Sequence, residues 1–133
     1  MALTITASDV SIVEVIEKST GPTDEAVNAG QAARLSTTTG KFTKANGTTA
    51  AEARVLGIAV TTATVANEAI TVVRKGILNV GDALDALAYD QDVYLDNTDG
   101  ALGTVAGSVS TKIGRVVPLF GYTTADKGLL VDL

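Results

Sequence analysis

The sequence predicts a mainly β fold: a compact β-barrel or β-sandwich of two similar halves, with one or two short helices and an extended N-terminal arm. Three observations predict it. The 133 residues are rich in Val and Thr, whose branched Cβ favours strands. Thirteen glycines punctuate short apolar runs, and with only two prolines the turns must be built on Gly, Asn and Asp. The third observation is a self-similarity at an offset of 60 residues.

In that self-similarity, Gly30-Gln31-Ala32-Ala33-Arg34-Leu35 aligns without gaps to Asp90-Gln91-Asp92-Val93-Tyr94-Leu95. The match continues through Thr38/Thr98 to Gly40/Gly100. Upstream, Ala26/Ala86 and Ile12-Val13/Val72-Val73 keep the register. Downstream, Leu56-Gly57-Ile58-Ala59-Val60 resembles Ile113-Gly114-Arg115-Val116-Val117 after a three-residue deletion, and Ile70-Thr71-Val72-Val73 meets Leu130-Val131-Asp132-Leu133. Fixed-offset similarity marks a repeated supersecondary unit, and two copies suit one barrel or sandwich rather than a solenoid. The expected organisation is an arm over 1–10 and one β domain over 11–133, with repeats spanning approximately 11–73 and 71–133.

Each element follows from local chemistry. In the arm, Leu3 and Ile5 alternate with Thr, and little in residues 1–9 favours folding alone; it either frays or orders on a partner. The β-branched run 11–16 reads as a strand. A helix of two turns at most is expected over 83–88, capped by Asp82 with Asp85 near its positive end, and its counterpart over 23–29. Strands over 32–35 and 42–44 flank Ser36-Thr37-Thr38-Thr39-Gly40. Strands over 93–95 and 102–105 flank Asp96-Asn97-Thr98-Asp99-Gly100. Such five-residue loops ending in Gly suit hairpins. Asn46-Gly47 is a further turn; it opens an Asn-x-Thr glycosylation pattern, read only as a turn because no secretory signal precedes it. Runs 55–61, 69–74, 112–119 and 129–133 complete the strands.

The inventory of chemistry is short. The chain has no His and no Cys, which removes the commonest general base, the cysteine nucleophile, the thiolate metal site and any disulfide. No phosphate-cradling glycine loop or dinucleotide fingerprint is present. No catalytic residue, cofactor or enzyme activity is expected. Asp96 and Asp99 are the weak candidates for a hard cation, but Leu95 and Ala106 stand where calcium-loop ligands belong, so a solvated turn is the favoured reading. The net charge of −5 and scattered Lys and Arg argue against nucleic acid. No apolar run reaches the roughly 20 residues of a membrane helix, so no membrane partner is expected. The opening residues carry no charged n-region or long apolar core, and synthesis in a cytosol is expected.

The order of these motifs resembles the head decoration, or capsid cement, proteins of tailed bacteriophages. The resemblance runs over roughly residues 26–133. It is carried by Ala29-Gly30-Gln31 before a strand, Thr39-Gly40-Lys41-Phe42, Leu56-Gly57-Ile58-Ala59-Val60, and the second set from Asp90-Gln91-Asp92-Val93-Tyr94-Leu95-Asp96 to Ile113-Gly114-Arg115-Val116-Val117. Asp90-Gln91 departs from the more usual Gly-Asp of that pattern. The resemblance implies a β domain on the exterior of an expanded capsid. It also implies a major capsid protein as partner, self-association as a trimer or sometimes a dimer, and an arm that helps docking. Leu3, Ile5 and Val10 are then the candidate interface residues. A tail or fibre component is the main alternative, and a small ligand-binding β module a more distant one.

Overall fold

The computed structural model describes residues 2–119 and 126–133. Met1 of the arm and two of the five aromatics, Phe120 and Tyr122, lie outside them. The elements in chain order are a 3-10 turn (Ala7–Asp9), β1 (Val10–Pro22), β2 (Ala32–Leu35), β3 (Phe42–Lys44), β4 (Gly57–Ala59), β5 (Ala69–Val80), β6 (Asp92–Leu95), β7 (Leu102–Gly103), β8 (Lys112–Pro118) and β9 (Lys127–Asp132). The fold is mainly β. The nine strands among the described residues belong to one sheet, ordered β3-β2-β4-β5-β9-β8-β6-β7, with β1 beside β5. Every named strand pair is antiparallel.

The strand order reads alike from both ends. In the first run, β3-β2-β4 leads to β5; in the second, β7-β6-β8 leads to β9. Local hydrogen bonds recur at the same offset of 60. Gln31 Oε1 accepts from Asn28 N at 2.9 Å, and Gln91 Oε1 accepts from Ala88 N at 3.0 Å. Ser36 N donates to Lys41 O at 2.8 Å, and Asp96 N to Ala101 O at 2.9 Å. Gly40 and Gly100 close these turns at φ +70° and +73°. Gly30 and Asp90 take φ +92° and +65°, so the departure at Asp90 falls on a left-handed position that Asp tolerates better than most residues.

The sheet curls. Strand alternation sends Ala32, Ile58 and Val73 into the larger apolar cluster, while their neighbours Ala33, Ala59 and Val72 enter a smaller one on the other face. The larger cluster continues through Leu78, Leu84, Val93, Leu95, Leu102, Ile113, Val116, Leu129 and Val131. The ends of the strand order meet through the backbone: Ala32 N donates to Gly100 O at 2.9 Å, Gly100 N to Ala45 O at 2.6 Å, and Gly47 N to Asp96 O at 2.8 Å. These bonds give the sheet a barrel-like curl.

Two expected helices do not form. Residues 81–86 are turns, in which Asp85 N donates to Asp82 O at 3.1 Å and Leu87 N to Leu84 O at 3.0 Å. The segment is too short to offset helix nucleation, and a three-residue repeat already buries both Leu84 and Leu87. Over 23–29, Thr23 N donates to Glu68 O and Val27 N to Ala63 O, each at 3.0 Å. Long-range partners thus take the donors a helix would have used. The expected strand 11–16 extends to Pro22, and 69–74 extends to Val80, because the two pair along their whole lengths.

Candidate docking surface

β1 is the longest strand, yet none of its 13 residues is buried. One edge pairs with β5 from Val10↔Val80 to Pro22↔Ala69; the other edge pairs with nothing among the described residues. Two bulges interrupt the ladder on the β1 side, making Val13 and Ile16 the extra residues. A bulge kinks a strand and re-aims a side chain. Ile16 stands 71% exposed, with Ile12 and Val15 near 40% and 39%. Glu14, Glu17 and Lys18 lie among them. Glu17 Oε1 sits 3.7 Å from the Arg74 guanidinium across the ladder, an exposed pair of small energetic weight.

Of the sequence-predicted contact residues, Val10 opens β1, while Leu3 and Ile5 lie in the arm before it. Leu3, Ile5 and Val10 are half-buried and pack against the larger cluster of their own chain. Leu3 N donates to Leu102 O at 2.7 Å, and Ala2 bridges Gly103, so the arm covers the edge of β7. Ile5 lies over Gly30, where a Cβ would come within 2.5 Å of Ile5 Cγ2. The arm is therefore seated on its own domain. Sequence reasoning passed over Ile12, Val15 and Ile16. The available signal was the run Ile12-Val13-Glu14-Val15-Ile16-Glu17-Lys18, whose apolar pairs break strict alternation as a bulged, half-exposed edge does.

The acidic hairpin is held by its own hydrogen bonds. Asp99 Oδ1 accepts from Asn46 Nδ2 at 2.7 Å, and Asp96 Oδ2 accepts from Thr98 N at 3.0 Å. Among the described residues, no three acidic side chains converge on a point where a cation would sit. Asn46 is buried, and its amide ties the 46–48 turn to the 96–100 turn, which fits a structural role rather than a glycan acceptor. Lys127 Nζ lies 5.1 Å from the centre of the Tyr89 ring and donates to Asp85 O at 3.1 Å, fastening β9 to the turns after β5.

No family model and no curated protein matches this chain.

Four carboxyls are held below their usual range. For Glu25, burial raises the pKa, but hydrogen bonds from the Thr43 hydroxyl and the Lys44 N–H, with the Lys44 charge, more than offset it. Glu68 accepts from the Thr64 hydroxyl and from the N–H groups of Val65 and Thr64. Asp92 is lowered chiefly by its hydrogen bond with Lys112, and Asp132 by its hydrogen bond with Lys75. All four fasten strands or turns.

A separate cleft of about 680 Å³ is lined in part by Leu35, Arg54, Val55, Arg74, Lys112 and Asp132. Its cations are largely engaged: Lys112 meets Asp92 at 2.9 Å, and Arg74 meets Glu17. Among the described residues, no helix is long and apolar enough to cross a membrane.

Proposed function

We propose that this chain is a virion structural protein, a capsid decoration protein that binds the exterior of a phage capsid and bridges major capsid subunits. The observation that carries the reading is β1, a 13-residue edge strand with no buried residue and three exposed large apolar side chains. Exposed apolar groups gathered on one edge mark an interaction surface. Open edges otherwise invite uncontrolled pairing, so a protein keeping one this long benefits from having it covered in an assembly. The motif order over 26–133 supports the same reading, as does a sequence without His or Cys. The two runs of like strand order, with β5 ending one and opening the other, are in this reading a duplicated unit. Repetition of modest contacts over a shell then gives strong overall retention through multivalency.

The test is titration of the full chain onto expanded capsids that lack it, with occupancy and capsid disruption temperature as readouts. Saturable occupancy with a raised disruption temperature is the expected result. A chain that leaves capsids unoccupied at every concentration overturns the reading. Open filaments formed by the chain alone would point instead to a tail or fibre component.

A further inference from the structure

We propose that β1 pairs with the β1 of a second copy, antiparallel, about a two-fold axis through Ile16. The proposal deepens the structural-protein reading, on which it rests for context, by naming the occupant of the open edge.

Three observations lead there. First, the molecule supplies its own precedent. β5 carries β9 and β4 on one side, and β1, an antiparallel strand, covers the other side along its whole length. β1 opens the first run of strands as β5 opens the second, but its outer edge has no such cover among the described residues. An antiparallel strand of the same kind is what fits.

Second, β1 is self-complementary in one register. Two copies of Val10–Pro22 overlap along their full length only when Ile16 lies opposite Ile16 of the second copy. That register sets Glu14 opposite Lys18 and Lys18 opposite Glu14, two opposite-charge pairs flanking a centre in which Ile16 meets itself and Val15 lies opposite Glu17. It also sets Ile12 opposite Thr20, and both are β-branched. Directly opposed unlike charges and β-branched pairs stabilise a ladder, whereas like charges destabilise it. Neither Glu14 nor Lys18 has an ion-pair partner among the described residues.

Third, the most exposed large apolar residue among the described residues sits on the proposed axis: Ile16, the extra residue of a bulge, 71% exposed. Pairing two copies buries it against itself. An isologous contact of this kind consumes the edge and closes, so it forms a dimer without growing into a fibre. The bulges at Val13 and Ile16 interrupt the ladder for any flat strand, which disfavours unrelated partners at the same edge.

The experiment is native mass spectrometry and sedimentation of the full chain with three variants. Wild type is expected at twice the chain mass. Ile16→Asp is expected at the monomer mass. Lys18→Glu replaces two attractive pairs by two repulsive ones and is expected to weaken dimerisation by roughly tenfold or more. The double variant Glu14→Lys/Lys18→Glu restores the pairs in reverse and is expected to recover the dimer, a readout that misfolding of the aspartate variant cannot mimic. A monomeric wild type, a trimer indifferent to Ile16→Asp, or a double variant no better than Lys18→Glu overturns the proposal. Capsid occupancy is scored separately. A monomer that still saturates capsids removes the dimer and leaves the decoration reading standing; a dimer that ignores capsids, but follows the charge swap, does the reverse.

Discussion

Gly114 shows how little space one position leaves. A Cβ there would stand 1.7 Å from Leu130 O, inside the β8–β9 ladder. Gly114→Ala is therefore expected to cost at least about 3 kcal/mol, read as a fall in the denaturant midpoint, because no side-chain rearrangement can relieve a clash with backbone. Gly57, its match in the first run, meets Val73 O at 2.9 Å in the same test. The recurring apolar-Gly pair was visible in the sequence, but its cause lies across the sheet in a strand remote in sequence. The carboxyls supply a second prediction. Glu25, Glu68, Asp92 and Asp132 are held below their usual range in the folded chain, so folding favours their ionised forms. Their stabilisation is present above the unfolded carboxyl pKa, roughly pH 4, and is lost as pH falls through the folded values. Denaturant midpoints measured from pH 7 downward are expected to decline through that window, and Glu68→Gln is expected to flatten part of the decline while leaving the chain folded.

Among the elements, β2 and β3 were legible to the residue, because turn chemistry on both flanks fixes their ends. The two expected helices were not, since Asp82-Ala83-Leu84-Asp85 offers a local cap signal that tertiary burial of Leu84 and Leu87 overrides. The arm's seat on its own domain was not legible: its partners, Leu102 and Gly30, are far along the chain. Deleting residues 2–9 is expected to lower stability by about 2 kcal/mol, since it uncovers the edge of β7 and removes half-buried Leu3 and Ile5 from the larger cluster. Thermal unfolding of the truncated chain checks this. An unchanged midpoint would mean that the arm adds no packing of its own. β1 marks a different case, a strand recognised as such whose edge position was signalled only by the broken alternation of Ile12 to Lys18.

For the whole molecule, the topology lay beyond local reading, because β5 pairs with β1, β4 and β9, which span nearly the entire chain. The offset of 60 predicted that turns would recur, and the Gln31 and Gln91 hydrogen bonds do recur; its overlap over 71–73 put one segment in both repeats, but did not reveal which strands would flank it. Neither run keeps its full set of strands without β5, and the Asn46–Asp99 bond ties one to the other. Unfolding is accordingly expected as a single transition, coincident by far-ultraviolet circular dichroism and by Tyr fluorescence; two separated transitions would show independent halves. The same shared strand bears on mechanics. β1 and β9 flank β5 on opposite sides, and both run against it. Tension applied between Val10 and Leu133 pulls β1 and β9 in opposite directions along β5, with the ladder bonds lying across the line of force. The load is then shared by many bonds that must slip together instead of opening one by one like a zipper, so β5 acts as a rivet against stretching.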